Sequence, residues 1–381
     1  MIIKELEIAL RSALRKSMKL IVLLVLGVQP LLATGPINVV LSEPLTVRWR
    51  YDSSVTLNLT PAFDNDRIYL PLAGGVLVAL QATDGQLYWR SEIGGELSAS
   101  PAADDTTIYV ASEILDAGGS ASKASGALRA LGREGGVTQW LTPLVKPLRG
   151  AIALRGEKLF AGGSDGRAYC FDKRTGGVFW SIPFSSPFSS EPLADSGRVY
   201  FGSEDGTLLA LEEATGKLLW RYRTKGAIKG PLATADGKVF FGSSDAYVYA
   251  VNATNGRLDW KKRTGAGVEA VVLTGDSLLV ASLDNFAYLL NFNGSMLWKR
   301  LLPGRISAQP LAVKEAALFT PLSSSTAIVL ALKDGKQVNT LPTGEEMTSS
   351  AAPIVVGDAV VVTTEHGLVA FARPPATRPK A

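Results

Sequence analysis

From about residue 45 onward the chain is a succession of short apolar or alternating runs, broken by Asp-Gly and by Thr-Gly or Asn-Gly pairs. One unit reads Val199-Tyr200-Phe201-Gly202, Asp205-Gly206, Leu208-Leu209-Ala210-Leu211, Thr215-Gly216, then Lys217-Leu218-Leu219-Trp220. The next repeats it from Val239 to Trp260, and the one before runs from Leu159 to Trp180. Glycine adopts positive φ at tight corners, so the runs are predicted to fold back as antiparallel hairpins. A fourth run follows each tryptophan and starts near a proline: Pro61, Pro101, Pro192, Pro231, Pro310 and Pro353. The 3.6-residue period of a helical solenoid is absent. Four strands in each repeat of about 40 residues predict a β-propeller.

The number of repeats follows from three columns. Tryptophan stands at 49, 89, 140, 180, 220, 260 and 298. Glycine recurs four residues before that position at 85, 136, 176, 216, 256, 294 and 335. The eighth residue after it is apolar in eight copies, from Leu57 to Met347. Asn339 replaces the tryptophan in one copy and is expected to leave one interface less well filled. The last copy stops at Phe371, short of its outer strand, while Trp49 stands in an orphan strand over 45–51. The expectation is all-β: a single eight-bladed propeller of four-stranded antiparallel blades over 45–372, closed by the N-terminal strand.

Composition narrows the chemistry. The chain of 381 residues is 46% hydrophobic and 19% charged, which excludes disorder. One cysteine excludes a disulfide framework and thiolate zinc sites, and one histidine excludes multi-histidine metal centres. The formal charge is +4, with net +3 in residues 1–33 and net +3 in 373–381, leaving −2 between them. Such a body lacks the basic footprint of a nucleic-acid binder. Lys16 and Lys19 precede an apolar run over 20–26, and a cleavage pattern ends at Ala33. Residues 1–33 therefore read as a signal peptide, with 1–17 a mis-assigned upstream start. Residues 34–44 read as a linker and 373–381 as a disordered basic tail. The expected location is periplasmic or extracellular. No lipoprotein cysteine stands near Ala33, so membrane contact would come only through an uncut signal.

The repeat accounts for most residues that suggest chemistry. Cys170 occupies a column that is otherwise mostly alanine and is expected in the core. His366 stands where other copies place Asp-Gly turns. Corner aspartates such as Asp165 and Asp205 lack the clustering of a calcium loop. The acidic doublets Glu212-Glu213 and Glu345-Glu346 are expected to face solvent. Departures from the repeat are more informative. The interval between Trp89 and Trp140 contains an insertion over 113–125, in which Ile114 and Leu115 are candidate partner contacts. Phe184 aligns with Thr224 and Thr264 and is the third candidate, whereas Phe188 falls in the apolar column. No residue is assigned a catalytic, cofactor-binding or metal-binding role.

The sequence of Asp-Gly, aromatic-Ala-Leu/Val, Thr-Gly and Trp resembles the pyrroloquinoline-quinone-type propeller repeat over roughly residues 45–372. One branch comprises the eight-bladed quinoprotein alcohol dehydrogenases. The other is the BamB-like branch, a propeller subunit of the outer-membrane β-barrel assembly machinery that binds no cofactor. The length and single-propeller layout resemble the second; the missing lipoprotein cysteine departs from it. The first branch implies a vicinal disulfide, a Ca2+ held by Glu, Asn and Asp, and a catalytic Asp. One cysteine cannot supply that disulfide, and no ligand set carries over residue by residue. The resemblance implies a non-enzymatic, monomeric scaffold that binds protein partners in the cell envelope, without cofactor or nucleic acid. A quinoprotein-like oxidoreductase and a propeller binding a small ligand or carbohydrate remain the alternatives.

Overall fold

The computed structural model describes residues 39–114, 124–322 and 324–374. The segment read as a signal peptide, Leu115 and the tail beyond 374 lie outside them. Among the described residues no helix is long and apolar enough to cross a membrane.

The strands form eight antiparallel sheets. Blades 1 to 7 span 62–92, 96–144, 148–183, 193–223, 233–263, 268–301 and 311–342. Blade 8 joins three strands within 354–372 to the strand Thr46–Asp52. That strand pairs antiparallel with Gly367–Ala372, Trp49 lying opposite Ala370. The N-terminal strand thus supplies the outer strand of the last blade. Each outer strand carries a register shift next to its tryptophan or Asn339, as between Ala210 and Leu211 opposite Trp220. Such a bulge sharpens the strand twist and leaves the extra residue unpaired. In blades 3, 4 and 6 that residue is Phe179, Leu219 or Leu297, all exposed.

Blades lock together in one direction around the ring. Each tryptophan donates its Nε1–H to a carbonyl in the next blade, at 2.7–3.2 Å. The ring lies against the glycine of that blade's last turn. Gly256 shows why glycine is required there: its φ is +69°, and a Cβ would stand 2.5 Å from Cε3 of Trp220. Two constraints select glycine, the left-handed backbone and the absence of space.

The junction of blades 7 and 8 is built differently. Asn339 stands in the tryptophan position, and blade 8 has no turn between its third and outer strands. Val39, Leu41 and Leu45 fill the space, packed with Val313, Leu318 and Val329 of blade 7 and with Val360, Val362 and Phe371 of blade 8. Asn339 Nδ2 donates to the carbonyls of Leu41 and Glu43 at 3.0 and 2.7 Å. Arg373 Nε lies 2.7 Å from Glu43 Oε2. The interface expected to be poorly filled is therefore filled. A third piece of chain brings apolar side chains for the volume and backbone carbonyls for the amide.

Candidate functional site

The insertion rises from a long hairpin, Thr107–Ile114 paired with Ser125–Gly132. Ile114 is its last described residue on one side and is exposed. Glu113, its neighbour, turns back to the ring, with Oε2 2.5 Å from Nη2 of Arg149 in blade 3. The base of the insertion is therefore pinned, and Ile114 is the first side chain beyond the pin.

Phe184 sits where blade 3 hands over to blade 4. In blades 4 and 5 the equivalent residue is a buried threonine. The Thr224 hydroxyl lies 2.9 Å from the carbonyl of Gly206 and 2.7 Å from that of Gly226, closing the loop on itself. Phenylalanine has no such hydroxyl. Its backbone keeps the bond, Phe184 N to Gly166 O at 2.8 Å, while the ring packs edge-on to Phe188, centroids 5.9 Å apart. Phe188 is fully buried, as its column implies, and Phe184 is half-buried.

Beside Phe184 opens a cleft of about 330 Å3, lined among others by Ser186, Asp205, Leu218, Arg221 and Arg223. Asp205 is partly buried, which alone would raise its pKa; hydrogen bonds from Ser203 and Thr207 and the Arg223 charge hold it below the usual value. Arg223 Nη2 is 3.6 Å from Asp205 Oδ2 and its side chain is 71% exposed, so much of its charge remains available. Arg221 adds a second exposed guanidinium. The cleft offers an aromatic edge, an aliphatic floor and two cations. Ile114 belongs to the rim of blade 2 and does not share this cleft.

Of these groups only Phe184 is conspicuous in the sequence. Arg221 and Arg223 become visible when the outer strands are compared residue for residue. Glu191 has a similar signal, as the one ionisable residue in its repeat column. It stands two residues before the innermost strand of blade 4, Leu193–Asp195. Desolvation inside the ring pushes its carboxyl up to about 7. Glu269 in blade 6 is raised for the same reason, partly offset by Lys229.

The nucleophiles are sealed. Cys170 is fully buried beneath Trp180, and burial pushes its thiol up to about 12, so almost no thiolate forms near neutrality. His366 occupies the turn of blade 8, with Nδ1 3.1 Å from Glu346 Oε2. Corner aspartates serve as turn acceptors: Asp165 takes the N–H of Arg167, Asp284 that of Phe286 and Asp334 that of Lys336. One acidic doublet departs from the solvent-facing expectation, because Glu213 holds Lys158 at 3.2 Å and Arg155 at 3.6 Å across a blade junction. Among the described residues no three His, Cys, Asp or Glu side chains converge as a metal-ligand set. With a single buried cysteine, the donor set does not fit the disulfide-flanked quinone and Ca2+ site of the quinoprotein branch.

Solved structures similar to this one share its fold at low identity. BamB from Moraxella catarrhalis superposes with a TM-score of 0.70 at 18% identity, covering 89% of this chain and 100% of its own. A quinohemoprotein alcohol dehydrogenase from Pseudomonas putida HK5 gives 0.65 at 14%, covering 88% of this chain and 78% of its own. The computationally designed Ika8 protein gives 0.73 at 16%, covering 86% and 99%. No curated protein matches the sequence. These similarities extend to the fold alone. The family model described as outer membrane protein assembly factor BamB matches residues 39–123, 124–267 and 244–376. Spanning the whole propeller, that match places the chain in the outer membrane protein assembly factor BamB family.

Proposed function

We propose that the protein is a non-enzymatic, exported scaffold that supports outer-membrane protein assembly by binding protein partners in the cell envelope. The observation that carries this reading is the cleft between blades 3 and 4. There Phe184, aromatic where blades 4 and 5 carry threonine, stands beside the exposed Arg221 and Arg223. An aromatic and arginines at the edge of a cleft are the residue types that dominate protein-binding energy. The sealed thiol, and the lack of a converging donor set among the described residues, weigh against redox chemistry. Family membership supplies the assembly context, and the apolar run before Ala33 supplies the route out of the cytoplasm.

The test uses the full chain as bait on envelope extracts. Phe184→Ser is expected to reduce recovery of specifically bound protein about tenfold, the value of one good anchor, with the all-β fold retained by circular dichroism. Equal recovery removes the cleft from the proposal. Addition of pyrroloquinoline quinone and Ca2+ is expected to produce no dye reduction; stoichiometric uptake with turnover would overturn the non-enzymatic reading.

A further inference from the structure

Each outer strand has one side without a sheet partner, and these free edges are of different kinds. In blades 2, 3 and 7 the third residue after the tryptophan position is proline: Pro143, Pro183 and Pro342. Those three strands carry no charged residue at all. In blades 4, 5 and 6 the same register position is Arg223, Arg263 or Leu301, opposite Thr207, Tyr247 and Phe286. These strands hold seven basic residues against one acid, Asp259. Blades 1 and 8 end instead in Glu92 and Asp52.

Proline identifies the direction of the backbone. Having no N–H, it persists in a sheet where its nitrogen faces away from the ladder. The next residue then donates inward, as Phe184 N does to Gly166 O. Blades 4, 5 and 6 keep that phase: Thr224 N donates to Gly206 O at 2.8 Å, Thr264 N to Ala246 O at 2.9 Å and Leu302 N to Asn285 O at 2.8 Å. The N–H groups of Arg223, Arg263 and Leu301 therefore point out of the sheet. Prolines blunt three edges of the ring, and these three remain open to a further strand.

We infer that the free edge of the blade 5 outer strand, Leu258–Arg263, takes an extended acidic segment of a partner protein by strand addition. Backbone N–H groups at the edge give the pairing, and side-chain charge selects the occupant. Lys261 and Arg263 are exposed on this strand, and the Lys261 ammonium is held 4.7 Å from the Tyr247 ring centroid. Basic outer strands flank it on both sides. The same cations repel the corresponding edge of a second copy, which selects an acidic strand over self-association. The inference rests on the scaffold reading and adds to it a location and a partner chemistry.

The probe is a fluorescent decapeptide of alternating Glu and Val, titrated into the full chain and read by anisotropy. Arg263→Pro copies what three sister blades carry at this position, so the fold accommodates it. It is expected to weaken binding about tenfold, against about threefold for Arg263→Ala, which removes the charge and keeps the N–H. Arg223→Pro, one blade away, is expected to change binding less than about twofold. Equal affinity of Arg263→Pro and Arg263→Ala overturns the proposal, because charge alone would then hold the peptide. Binding of anionic vesicles equally by the wild type and Arg263→Pro, with no peptide binding, also overturns it in favour of a lipid surface. If the edge variants are silent while Phe184→Ser still reduces partner recovery about tenfold, the edge assignment falls and the scaffold reading stands. If Phe184→Ser is silent too, the cleft is removed from the scaffold reading along with the edge.

Discussion

Blades 4 and 5 meet through Trp220 and Gly256, whereas blades 7 and 8 meet through Asn339 and residues 39–45. Both junctions face the same demand, to fill a wedge and satisfy a polar group at its outer end. The ordinary junction does so with one large ring on a turn that lacks a Cβ. The closing junction has no such turn, because its two strands come from distant parts of the chain. An aromatic there would have nothing flat to lie on, so a short amide and a separate apolar segment divide the task. Filling the wedge is thus a requirement of the ring, while the residue that fills it is set by chain connectivity.

The largest effect that tests this comparison is expected at the closing junction. Val39→Ala together with Leu41→Ala should cost about 4–6 kcal/mol in denaturant unfolding, as two deletions from a packed core do. A loss below about 1 kcal/mol would show that the segment only rests on the ring and does not seal it. At the ordinary junction, Gly256→Ala should cost about 2–3 kcal/mol, combining left-handed strain with the clash against Trp220. Gly237 has φ +68° but open space around its Cβ position, so Gly237→Ala should cost only about 1 kcal/mol. Equal losses at the two glycines would remove the ring contact from the explanation. Asn339→Ala should likewise have a small effect, about 1–2 kcal/mol for two hydrogen bonds. Asn339→Trp, read by the same unfolding curves, should fail to stabilise because Val39 and Leu41 already occupy the volume.

The eight blades and their closure were legible because tryptophan, glycine and small-residue columns repeat at nearly constant spacing. That spacing records identical packing problems solved identically. Residues 39–44 solve a problem that occurs once, so periodicity could not mark them, and they read as linker. Phe184 was legible as the one aromatic in a column that is threonine in blades 4, 5 and 7 and aliphatic in blades 1, 2 and 6. The neighbouring Arg221 and Arg223 were not, since charge summed along the chain averages the basic outer strands of blades 4 to 6 with the acidic residues elsewhere in those blades and with the uncharged outer strands of blades 2, 3 and 7. Ring geometry separates what the linear sum merges. Ile114 was legible from the length of the insertion, and Leu115 lies outside the described residues.

The pairing of Thr46 with Ala372 also has a consequence in time. The strand that finishes the ring is synthesised first, and its partner follows more than 300 residues later. At roughly 5–20 residues per second that delay is tens of seconds. Throughout it Trp49 has no blade to lie in and the edge of the strand is bare, a combination that invites aggregation. The seam is therefore the last part of the molecule to form. It is also where a nascent chain most needs protection.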